Sequence, residues 1–532
     1  MDDVRPDGSV AGRCSVDGLQ AAVSGVDGAR VVSAAVNRTG MFRPPRRTYE
    51  PIPNLPMLQP EPVGELPDFC DVRVHVTGPG GHVAEVFVWV PLAWNGRFLG
   101  TQGGSSVTGP MWHDLPVNRI VSMAHALRNG FATAATDGGN RDTRFLDWPL
   151  DRTSGELDWE LIRNWAYRST HDMTVVAKAV TTALCGAAPR YSYLQGCSGG
   201  GRQAMASAQR YPADYDGIWA SDGVLNWTRC IGAGLWPALV MKELGNPVPA
   251  AKLDAFRAAV LESNDGTDGV RDGYLGLVEP TGFDPSAVVG TRTSAGVITE
   301  TDAEVVRMIW AGPTRTDGTP LWFGLHPSAV SWGGYGLCDT EEVDGTLRPV
   351  PFRIAESHFR WIARDPGFDW TTLTFETYPE MFDRGVRELA EIASDDPDLS
   401  ALRASGGKLI ISQAVEDSII LYQGAVDYYR RVVEAVGGQE DTASFCRLFL
   451  SDGDLHGQAT GPGCGLTMSN GMAALMEWTE NGVAPDMIVT ERFDPLTSEV
   501  LATRPLFAYP NATAYSGSGD PADAASYTAT RL

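Results

Sequence analysis

The sequence lacks the features that would place the protein in a membrane or on a nucleic acid. No run of eighteen apolar residues occurs in its 532 residues, so no membrane-spanning helix is expected. Basic residues are scarce, with 42 Lys and Arg against 66 Asp and Glu, and the net charge is −24. Because nucleic acids and anionic membranes are bound by basic surfaces, we expect neither as a partner.

Two further absences concern export and zinc. The first eight residues contain no basic stretch followed by an apolar one, so no signal peptide is visible. The eight cysteines are scattered without the close spacing of a zinc site, so zinc is not expected. What remains is an ordinary globular composition, with 43% hydrophobic and 20% charged residues.

Strand-like and helix-like patterns alternate along the chain. Residues 69–76 and 83–90 alternate apolar and polar side chains, which predicts a hairpin, whereas residues 1–65 are loop-rich. Later strand patterns at 130–136, 215–221, 407–411 and 445–450 are interspersed with helical periodicity at 172–184 and 423–436. This alternation predicts an α/β fold with a mostly parallel sheet.

The rhythm breaks between residues 225 and 375. This region holds seven of the fifteen tryptophans: Trp227, Trp236, Trp310, Trp322, Trp332, Trp361 and Trp370. We interpret it as an insertion that covers the active edge of the sheet and supplies a flat apolar wall. A separately packed domain with its own aromatic core is the alternative, and both can hold together. The predicted organisation is a core over 1–224 and 376–532 with a lid domain over 225–375.

The stretch from Tyr191 to Gln203 carries the strongest chemical signal. Within it, Gly196-Cys197-Ser198-Gly199-Gly200 fits the pattern G-x-S-x-G. An apolar run precedes the motif and a helical segment follows it, as in a nucleophile elbow, where small residues accommodate a strained serine backbone. A bare motif also arises by chance in Gly-rich turns. Its place between a strand and a helix predicts that Ser198 is a catalytic nucleophile.

An activated serine needs a base, and the base needs an acid that holds it in the correct tautomer. In this type of fold the chain order is serine, acid, histidine. Of the eight histidines, only His456 follows the elbow on a loop directly after a predicted strand, which makes it the expected base. Asp417 follows the strand at 407–411 and is the expected acid. Glu416, Asp452 and Asp454 remain alternatives.

An oxyanion hole requires backbone N–H groups that point at the developing negative charge. Gly199, the residue after the nucleophile, is expected to supply one of them. The loop after the early strand at 97–100 is expected to supply the other, from Gly103.

A second constellation lies in the insertion, at residues 264–274 (N-D-G-T-D-G-V-R-D-G-Y). Three carboxylates interleaved with three glycines form a tight loop in which like charges repel. A hard cation with oxygen ligands relieves that repulsion, and calcium suits a flexible cage of carboxylates and carbonyls. The spacing is not that of an EF-hand, and on composition alone a solvated turn is an equal alternative.

Together these stretches resemble the tannase and feruloyl esterase family over most of the chain. The resemblance is carried by the elbow at 196–203 (G-C-S-G-G-G-R-Q) and its continuation at 208–212 and 216–218, by 406–410 leading to Asp417, by the aspartate-rich loop, and by 482–486 and 504–506. It implies an α/β-hydrolase core with a large inserted lid domain, acting on esters of hydroxylated aromatic acids. It also implies a structural Ca²⁺ in the lid, bound by the side chains of Asp265, Asp268 and Asp272 and the carbonyls of Val270 and Tyr274.

The chain departs from the family in its cysteines. In the family, the cysteine before the serine is bonded to a cysteine directly after the catalytic histidine; Cys197 is present here, but its partner position is Gly457. Further family cysteines are missing at Asn264, near Phe283 and at Phe507. The bridge that the resemblance would retain joins Cys14 to Cys70. Missing bridges and no visible signal peptide together favour a reducing compartment, so we expect a cytoplasmic protein.

The leading interpretation is a serine carboxylic ester hydrolase that works through an acyl-enzyme on a small aromatic ester. An acyltransferase or a lactone-forming enzyme of specialised metabolism would carry the same three residues. An inactive hydrolase-fold binding protein is a third interpretation, against which the intact set of Ser198, Asp417 and His456 argues. The sequence leaves the acid, the alcohol and the oligomeric state open.

Overall fold

The structure is a computed structural model that describes residues 8–45, 50, 61–104, 122–144, 146–277, 282–330, 336–457, 461–494 and 496–532. In these ranges the strands are, in chain order, β1 Ala29–Asn37, β2 Phe69–Thr77, β3 Val83–Pro91, β4 Arg97–Gln102, β5 Ala132–Thr136, β6 Tyr191–Cys197, β7 Gly217–Ser221, β8 Arg292–Thr293, β9 Gly296–Val297, β10 Asp339–Val343, β11 Thr346–Val350, β12 Lys408–Ala414, β13 Cys446–Ser451, β14 Met487–Phe493, β15 Val500–Phe507, β16 Asn511–Tyr515 and β17 Tyr527–Arg531.

The α-helices of the described ranges are α1 Gly8–Arg13, α2 Val16–Val23, α3 Met123–Arg128, α4 Trp159–Arg163, α5 Ser169–Cys185, α6 Gly199–Arg210, α7 Trp227–Ala233, α8 Trp236–Glu243, α9 Ala250–Asn264, α10 Glu300–Ala311, α11 Arg353–Ala363, α12 Tyr378–Glu388, α13 Ser400–Ala404, α14 Tyr422–Val436, α15 Gln439–Ala443 and α16 Ala473–Asn481. Within the part of the chain that is described, none of them is both long and apolar enough to span a bilayer.

Nine strands form one sheet in the order β1-β2-β3-β5-β4-β6-β7-β12-β13. The pairs β1–β2, β2–β3 and β3–β5 are antiparallel. The pairs β5–β4, β4–β6, β6–β7, β7–β12 and β12–β13 are parallel. The sheet is therefore mostly parallel, as predicted. Because parallel strands end at the same edge, the loops after β4, β6, β7, β12 and β13 come together there.

The strands read from the sequence alone are present, whereas the N-terminal region differs from the prediction. The hairpin of β2 and β3, the strand and helix of the elbow, and the later strands β12 and β13 all form. Residues 1–65, predicted to be loop-rich, contain α1, α2 and β1, which pairs with β2 at the edge of the sheet. Only one residue of β1 is buried, and the pairing of β1 with β2 contains a bulge. The sequence of β1 therefore lacks the regular apolar and polar alternation by which a strand is predicted.

Helices α7 to α13 and two short hairpins lie between β7 and β12, and their interior is aromatic. Trp227, Trp236, Trp361 and Trp370 are all buried in one hydrophobic cluster, with at most 8% of their surface exposed. They therefore belong to a core and do not form the flat wall predicted for the substrate. The cluster is not confined to the insertion, because Trp148 and Trp165, which precede the elbow, pack into it. Trp310 and Trp322 are partly buried against it, and Trp332 lies outside the described residues.

No disulfide joins any two of the eight cysteines, all of which lie within the described ranges. Cys14 and Cys70, the two residues for which the family resemblance retains a bridge, are neighbours, and the hydrogen bond between their side chains lowers the pKa of Cys14. Cys197 is buried at the end of β6.

Candidate active site

The elbow is built by the abrupt change of direction between β6 and α6. Ser198 separates the two elements and has φ 60° and ψ −123°, a strained conformation for a residue with a Cβ. Its backbone N donates a hydrogen bond to the carbonyl O of Ser221 at the end of β7, 2.9 Å away. The serine is thereby fixed at the carboxyl edge of the sheet.

Close backbone approaches explain the glycines around the serine. A Cβ on Gly196 would lie 2.2 Å from the carbonyl O of Gly200, and a Cβ on Gly200 would lie 2.3 Å from that of Gly103. A Cβ on Gly201 would lie 2.6 Å from the carbonyl O of Ser221. These distances are far below van der Waals contact, so the elbow can pack against its neighbouring loops only with glycine at these positions.

The three residues predicted from the sequence meet in a chain of hydrogen bonds. His456 Nε2 lies 2.9 Å from Ser198 Oγ, and His456 Nδ1 lies 2.7 Å from Asp417 Oδ2. Asp417 is fully buried, and its carboxyl accepts hydrogen bonds from the backbone N of Ile419 and Ile420 at 2.8 and 2.9 Å. These donors fix the orientation of the carboxyl group toward the imidazole.

The alternative acids are engaged elsewhere. Glu416, which directly precedes Asp417, accepts hydrogen bonds from the backbone N of Gly276 at 2.8 Å and of Gly453 at 2.6 Å, and from Ser328 Oγ at 3.0 Å. It thus joins the end of the aspartate-rich loop, the insertion and the loop of the histidine. Asp454 accepts a hydrogen bond from the next residue in the chain. The carboxyl group that contacts His456 belongs to Asp417.

The loops expected to form the oxyanion hole both lie beside the serine. Gly199 begins α6 directly after Ser198. The carbonyl O of Gly103 packs against Gly200, and a Cβ on Gly104 would lie 3.9 Å from the Cβ of Ser198. The end of β4 and the start of α6 therefore both lie next to the nucleophile.

Arg202 is a buried cation that ties the elbow helix to the aromatic cluster. Its guanidinium donates hydrogen bonds to the carbonyl O of Trp165 at 3.1 Å and of Ala166 at 2.9 Å, and it lies 4.0 Å from the centre of the Trp165 ring. Burial lowers the pKa of Arg202 to about 9. Its fixed fork of donors satisfies backbone carbonyls that would otherwise be unpaired.

One buried carboxyl group at the site was not predicted. Asp222 follows β7 directly and is 1% exposed. Its Oδ1 accepts a hydrogen bond from the backbone N of Ala414 at 2.9 Å, and its Oδ2 accepts one from that of Gly457 at 3.3 Å. An aspartate after an apolar strand is too common a pattern to single it out, because its partners are distant in the sequence.

The aspartate-rich loop is compact in the structure. Asp265 accepts hydrogen bonds from the backbone N of Asp272 and of Gly273, each at 3.1 Å, and Asp268 accepts one from that of Val270 at 3.0 Å. Asp272 Oδ2 lies 3.0 Å from Nη2 of Arg504, whose guanidinium is near the ring of Tyr274. Over the described ranges, no three His, Cys, Asp or Glu side chains converge in a geometry that would hold a metal ion.

The carboxyl groups around this loop nevertheless crowd one another. Burial raises the pKa of Asp272 to about 6, while Arg504 acts in the opposite direction. Burial, together with Glu416 and Asp272, raises the pKa of Asp452 well above its ordinary value. Asp452 is half-buried as a residue, but its Oδ1 is shielded from solvent and has no hydrogen-bond partner among the described residues. Carboxylate and carbonyl oxygens are the hard donors that Ca²⁺ takes, so the chemistry of these residues is compatible with that ion, although their side chains do not converge as ligands in the described ranges.

A cavity of about 760 Å³ lies away from the serine. It is lined by Arg97 at the amino end of β4, by His125, and by Met472, Glu480 and Glu491. Arg97 and Glu480 form an ion pair there, with Nη2 and Oε2 2.6 Å apart. None of the residues of the elbow lines this cavity, so it is not part of the candidate active site.

Comparison with known proteins places these features in one family. A family model described as "Tannase and feruloyl esterase" matches residues 70–530. A "Probable feruloyl esterase" of Arthroderma benhamiae is 35% identical over 477 residues, which cover 86% of this chain and 85% of that protein. A "Mono(2-hydroxyethyl) terephthalate hydrolase" of Piscinibacter sakaiensis is 29% identical over 516 residues, which cover 86% and 83%.

Solved structures share the fold. A tannin acyl hydrolase from Aspergillus niger has a TM-score of 0.81 at 20% identity and covers 98% of this chain and 96% of its own. The feruloyl esterase B of Aspergillus oryzae has a TM-score of 0.76 at 24% identity, with 96% and 100% covered. At these identities the likeness supports the α/β-hydrolase core and nothing finer. By the match over most of its length, the chain belongs to the tannase and feruloyl esterase family.

Proposed function

We propose that this carboxylic ester hydrolase cleaves esters of aromatic acids through an acyl-enzyme formed on Ser198. The observation that carries the proposal is the hydrogen-bonded chain from Ser198 Oγ through His456 to Asp417, with distances of 2.9 and 2.7 Å. A strained serine held at a strand-to-helix turn, next to a base that a buried acid orients, has the parts that acyl transfer requires.

In the first half of the reaction, Ser198 Oγ attacks the ester carbonyl carbon while His456 Nε2 accepts the serine proton. Asp417 stabilises the imidazolium that forms and keeps Nδ1 protonated. The carbonyl oxygen becomes an oxyanion, for which the backbone N–H groups of Gly199 and Gly103 are the proposed donors. The intermediate collapses, the C–O bond to the alcohol breaks, and His456 gives its proton to the leaving alcohol.

In the second half, water repeats the sequence on the acyl-enzyme. His456 accepts a proton from the water as its oxygen attacks the acyl carbon. The bond to Ser198 Oγ then breaks, and the serine recovers its proton from His456. The free acid leaves, and the three residues return to their starting state.

The names of the relatives support an aromatic acyl group. One relative is called a probable feruloyl esterase and another a mono(2-hydroxyethyl) terephthalate hydrolase. Both names refer to esters of aromatic acids. We therefore propose a small-molecule aryl ester as the substrate. The buried tryptophans of the insertion do not contribute to this argument, because they form its core.

We also propose that the insertion acts as a lid over the active edge of the sheet. Two of its residues contact the loop of the acid: Cys230 Sγ lies 3.8 Å from the carbonyl O of Ile419, and Ser328 Oγ lies 3.0 Å from Glu416. These contacts tie the position of the insertion to the loop that carries Asp417.

A Ca²⁺ ion is the proposed structural cofactor of the insertion. The side chains of Asp265, Asp268 and Asp272 and the carbonyls of Val270 and Tyr274 are the proposed ligands. Bound there, the ion would supply positive charge to a crowded set of carboxylates and take no part in the chemistry at Ser198. The Oδ1 of Asp452 is shielded and has no hydrogen-bond partner within the part of the chain that the structure describes, which, with the raised pKa of this carboxyl group, supports a need for positive charge at this place.

The test compares the wild-type enzyme with Ser198→Ala and with Ser207→Ala. Ser207 is a matched control, because it is a buried serine on the same helix whose Oγ donates to the carbonyl O of Gln203. We expect Ser198→Ala to lose fluorophosphonate labelling and at least about 10³-fold in kcat, and Ser207→Ala to keep both. Undiminished activity of Ser198→Ala would refute the proposed nucleophile.

A panel of gallate, hydroxycinnamate, benzoate and short aliphatic esters tests the substrate. We expect a higher kcat/KM for the aryl esters than for aliphatic esters of similar size. Equal values for both would reduce the proposal to a general esterase. Transfer of the acyl group to an added alcohol in preference to water would instead identify an acyltransferase.

A further inference from the structure

We infer that Asp222 is a positioning residue that holds the segments carrying Ser198, Asp417 and His456 in register. The inference rests on the proposed function, because it assigns Asp222 a role through those three residues. Asp222 follows β7, which lies in the sheet between β6, the strand of the serine, and β12, the strand of the acid. It therefore stands at the carboxyl edge between two of the segments it would join.

The side chain contacts all three segments. Oδ1 accepts a hydrogen bond from the backbone N of Ala414, the last residue of β12, at 2.9 Å. Oδ2 accepts one from the backbone N of Gly457, the residue after His456, at 3.3 Å. The same Oδ2 lies 3.8 Å from Sγ of Cys197, the residue before Ser198. One carboxyl group thus reaches the immediate chain neighbour of the nucleophile and of the base, and the strand that leads to the acid.

The backbone of the residue is fixed as well. Its N donates to the carbonyl O of Ser412 on β12 at 2.8 Å, and the residue before it, Ser221, accepts the hydrogen bond from the N of Ser198 at 2.9 Å. Asp222 has φ 44°, in the left-handed region, where aspartate, asparagine and glycine are better tolerated than other residues. The side chain is therefore directed from a backbone that both neighbouring strands restrain.

An acceptor is needed at this place. The N–H groups of Ala414 and Gly457 converge on a residue that is 1% exposed, and buried donors without partners are costly. A carboxylate accepts on both oxygens and donates on neither, so it can serve both at once. In this chain no disulfide can join Cys197 to position 457, which is glycine. The Oδ2 of Asp222 contacts both of these positions and so provides a polar link between the two loops.

Two variants of Asp222 test the role. Asp222→Gly removes the carboxyl group and tolerates the positive φ, whereas Asp222→Asn keeps one acceptor oxygen. We expect Asp222→Gly to lower kcat for a 4-nitrophenyl ester about 10- to 100-fold, because displacements of about 1 Å at a reacting group cost that much. KM should change less than threefold, and the rate of fluorophosphonate labelling should fall in parallel with kcat. The kcat of Asp222→Asn should lie between that of Asp222→Gly and that of the wild type.

Asp302→Asn is the matched control for stability. Asp302 is also a fully buried carboxyl group with several donors, Lys252, Asn246 and Thr299, but it lies at the start of α10 in the insertion. We expect this variant to lower Tm and to leave kcat at 25 °C within twofold. An equal loss of kcat in Asp302→Asn would show that the effect of Asp222 is only one of general stability.

A covalent replacement provides the rescue. In Asp222→Gly, the additional change Gly457→Cys offers Cys197 a partner, and oxidation should restore kcat at least threefold, with the gain lost on reduction. A bridge seen by mass spectrometry without any rescue would overturn the inference, as would kcat within twofold of wild type in Asp222→Gly. If that variant does not fold, an unchanged kcat in Asp222→Asn overturns it instead. If Ser198→Ala keeps full activity, the proposed function fails whatever the variants of Asp222 show.

Discussion

Two groups of acidic residues, the buried Asp417 and Asp222 and the half-buried Asp272 and Asp452, have opposite surroundings. Asp417 and Asp222 are shielded from solvent, but backbone N–H groups point at their oxygens at distances from 2.8 to 3.3 Å. Burial, with a further contribution from neighbouring carboxyl groups, raises the pKa of Asp452, and it raises the pKa of Asp272 to about 6. Burial of a carboxylate is therefore tolerated where donors converge on it and is costly where other carboxylates do.

The difference separates two tasks. Around the serine, the backbone donors hold the carboxyl group of Asp417 in the position from which it can orient His456. Around the aspartate-rich loop, Arg504 pairs with Asp272, and the proposed Ca²⁺ would offset the repulsion that remains among the carboxyl groups. Glu416 resembles Asp417 and Asp222, because three donors point at its carboxyl oxygens. It nevertheless contributes to the raised pKa of Asp452.

The largest effect is expected from a change that breaks the first group. Asp417→Asn should lower kcat about 10⁴-fold, because an amide at this place permits the wrong tautomer of His456. Glu416→Gln, one residue away and equally buried, should lower Tm while kcat changes far less. Steady-state kinetics and thermal unfolding of both variants check this. A greater loss of kcat in Glu416→Gln would make Glu416 the acid.

The second prediction addresses the other group through its proposed cation. Calcium at a hundred times its Kd should stabilise the wild type by about 2.7 kcal/mol, and Asp268→Ala should abolish most of that gain without a direct effect on kcat. Asp369→Ala is the control, since Asp369 caps an exposed turn of the same insertion. Thermal unfolding with and without a chelator measures the gain. An unchanged Tm, with no metal found by elemental analysis, would remove the calcium site.

The third prediction concerns the Cys197 thiol and its contribution to the positions of the residues in the first group. Cys197 forms no disulfide in the structure, its Sγ lies 3.8 Å from Asp222 Oδ2, and a thiol is a weak donor. We expect Cys197→Ala to keep kcat within about threefold and the wild type to remain active in strong reductant. Both outcomes agree with the proposed cytoplasmic location. A large loss of kcat in reductant, together with a disulfide between Cys197 and Cys464, would contradict the proposed cytoplasmic location.

The smallest effect on stability is expected from the pair of Asp214 and His171, which lies outside both groups. Asp214 Oδ2 lies 2.8 Å from Nδ1 of His171, and this hydrogen bond raises the pKa of the histidine above its ordinary value of 6.5. Because the folded pKa is raised, the contribution to stability is complete below pH 6.5 and disappears as the pH rises through the folded pKa.

The His171 side chain is 33% exposed, so solvent screening limits the gain to less than about 1 kcal/mol. His171→Gln should therefore lower Tm slightly at pH 5.5 and not at pH 9. Thermal unfolding of both proteins at the two pH values measures this. A larger deficit of the variant at pH 9 would reverse the assigned sign.

The sequence predicts those parts of the site that depend on local patterns. The motif around Ser198, set between a strand and a helix, identifies the turn, and its glycines follow from backbone contacts at 2.2 to 2.6 Å. Asp417 and His456 each follow a strand, and parallel strands end at one edge, so their convergence could be expected before any distance was known. In each case the signal lies within a few residues of the group that it identifies.

What the sequence could not predict depends on contacts between distant segments. Asp222 meets partners 192 and 235 residues away, and no local pattern marks it. The sequence predicts that the tryptophans of the insertion form a wall for the substrate. Four of them, Trp227, Trp236, Trp361 and Trp370, pack instead into a core that they share with Trp148 and Trp165, because composition does not reveal which side of a helix is covered. The edge strand β1 is not predicted, because only one of its nine residues is buried and no clear alternation results.

The pairing of β7 with β12 has a consequence for the folding of the enzyme during its synthesis on the ribosome. These strands are hydrogen-bonded neighbours from Gly217↔Lys408 to Ser221↔Ser412, although residues 222–407 lie between them. Contacts between such distant segments form late, since the entropy of closing the loop must be overcome first. On the ribosome, Asp417 follows Ser198 by roughly ten to forty seconds. Through that interval the nascent chain carries a nucleophile with neither its base nor its acid, and it stays chemically inert until the last strands join the sheet.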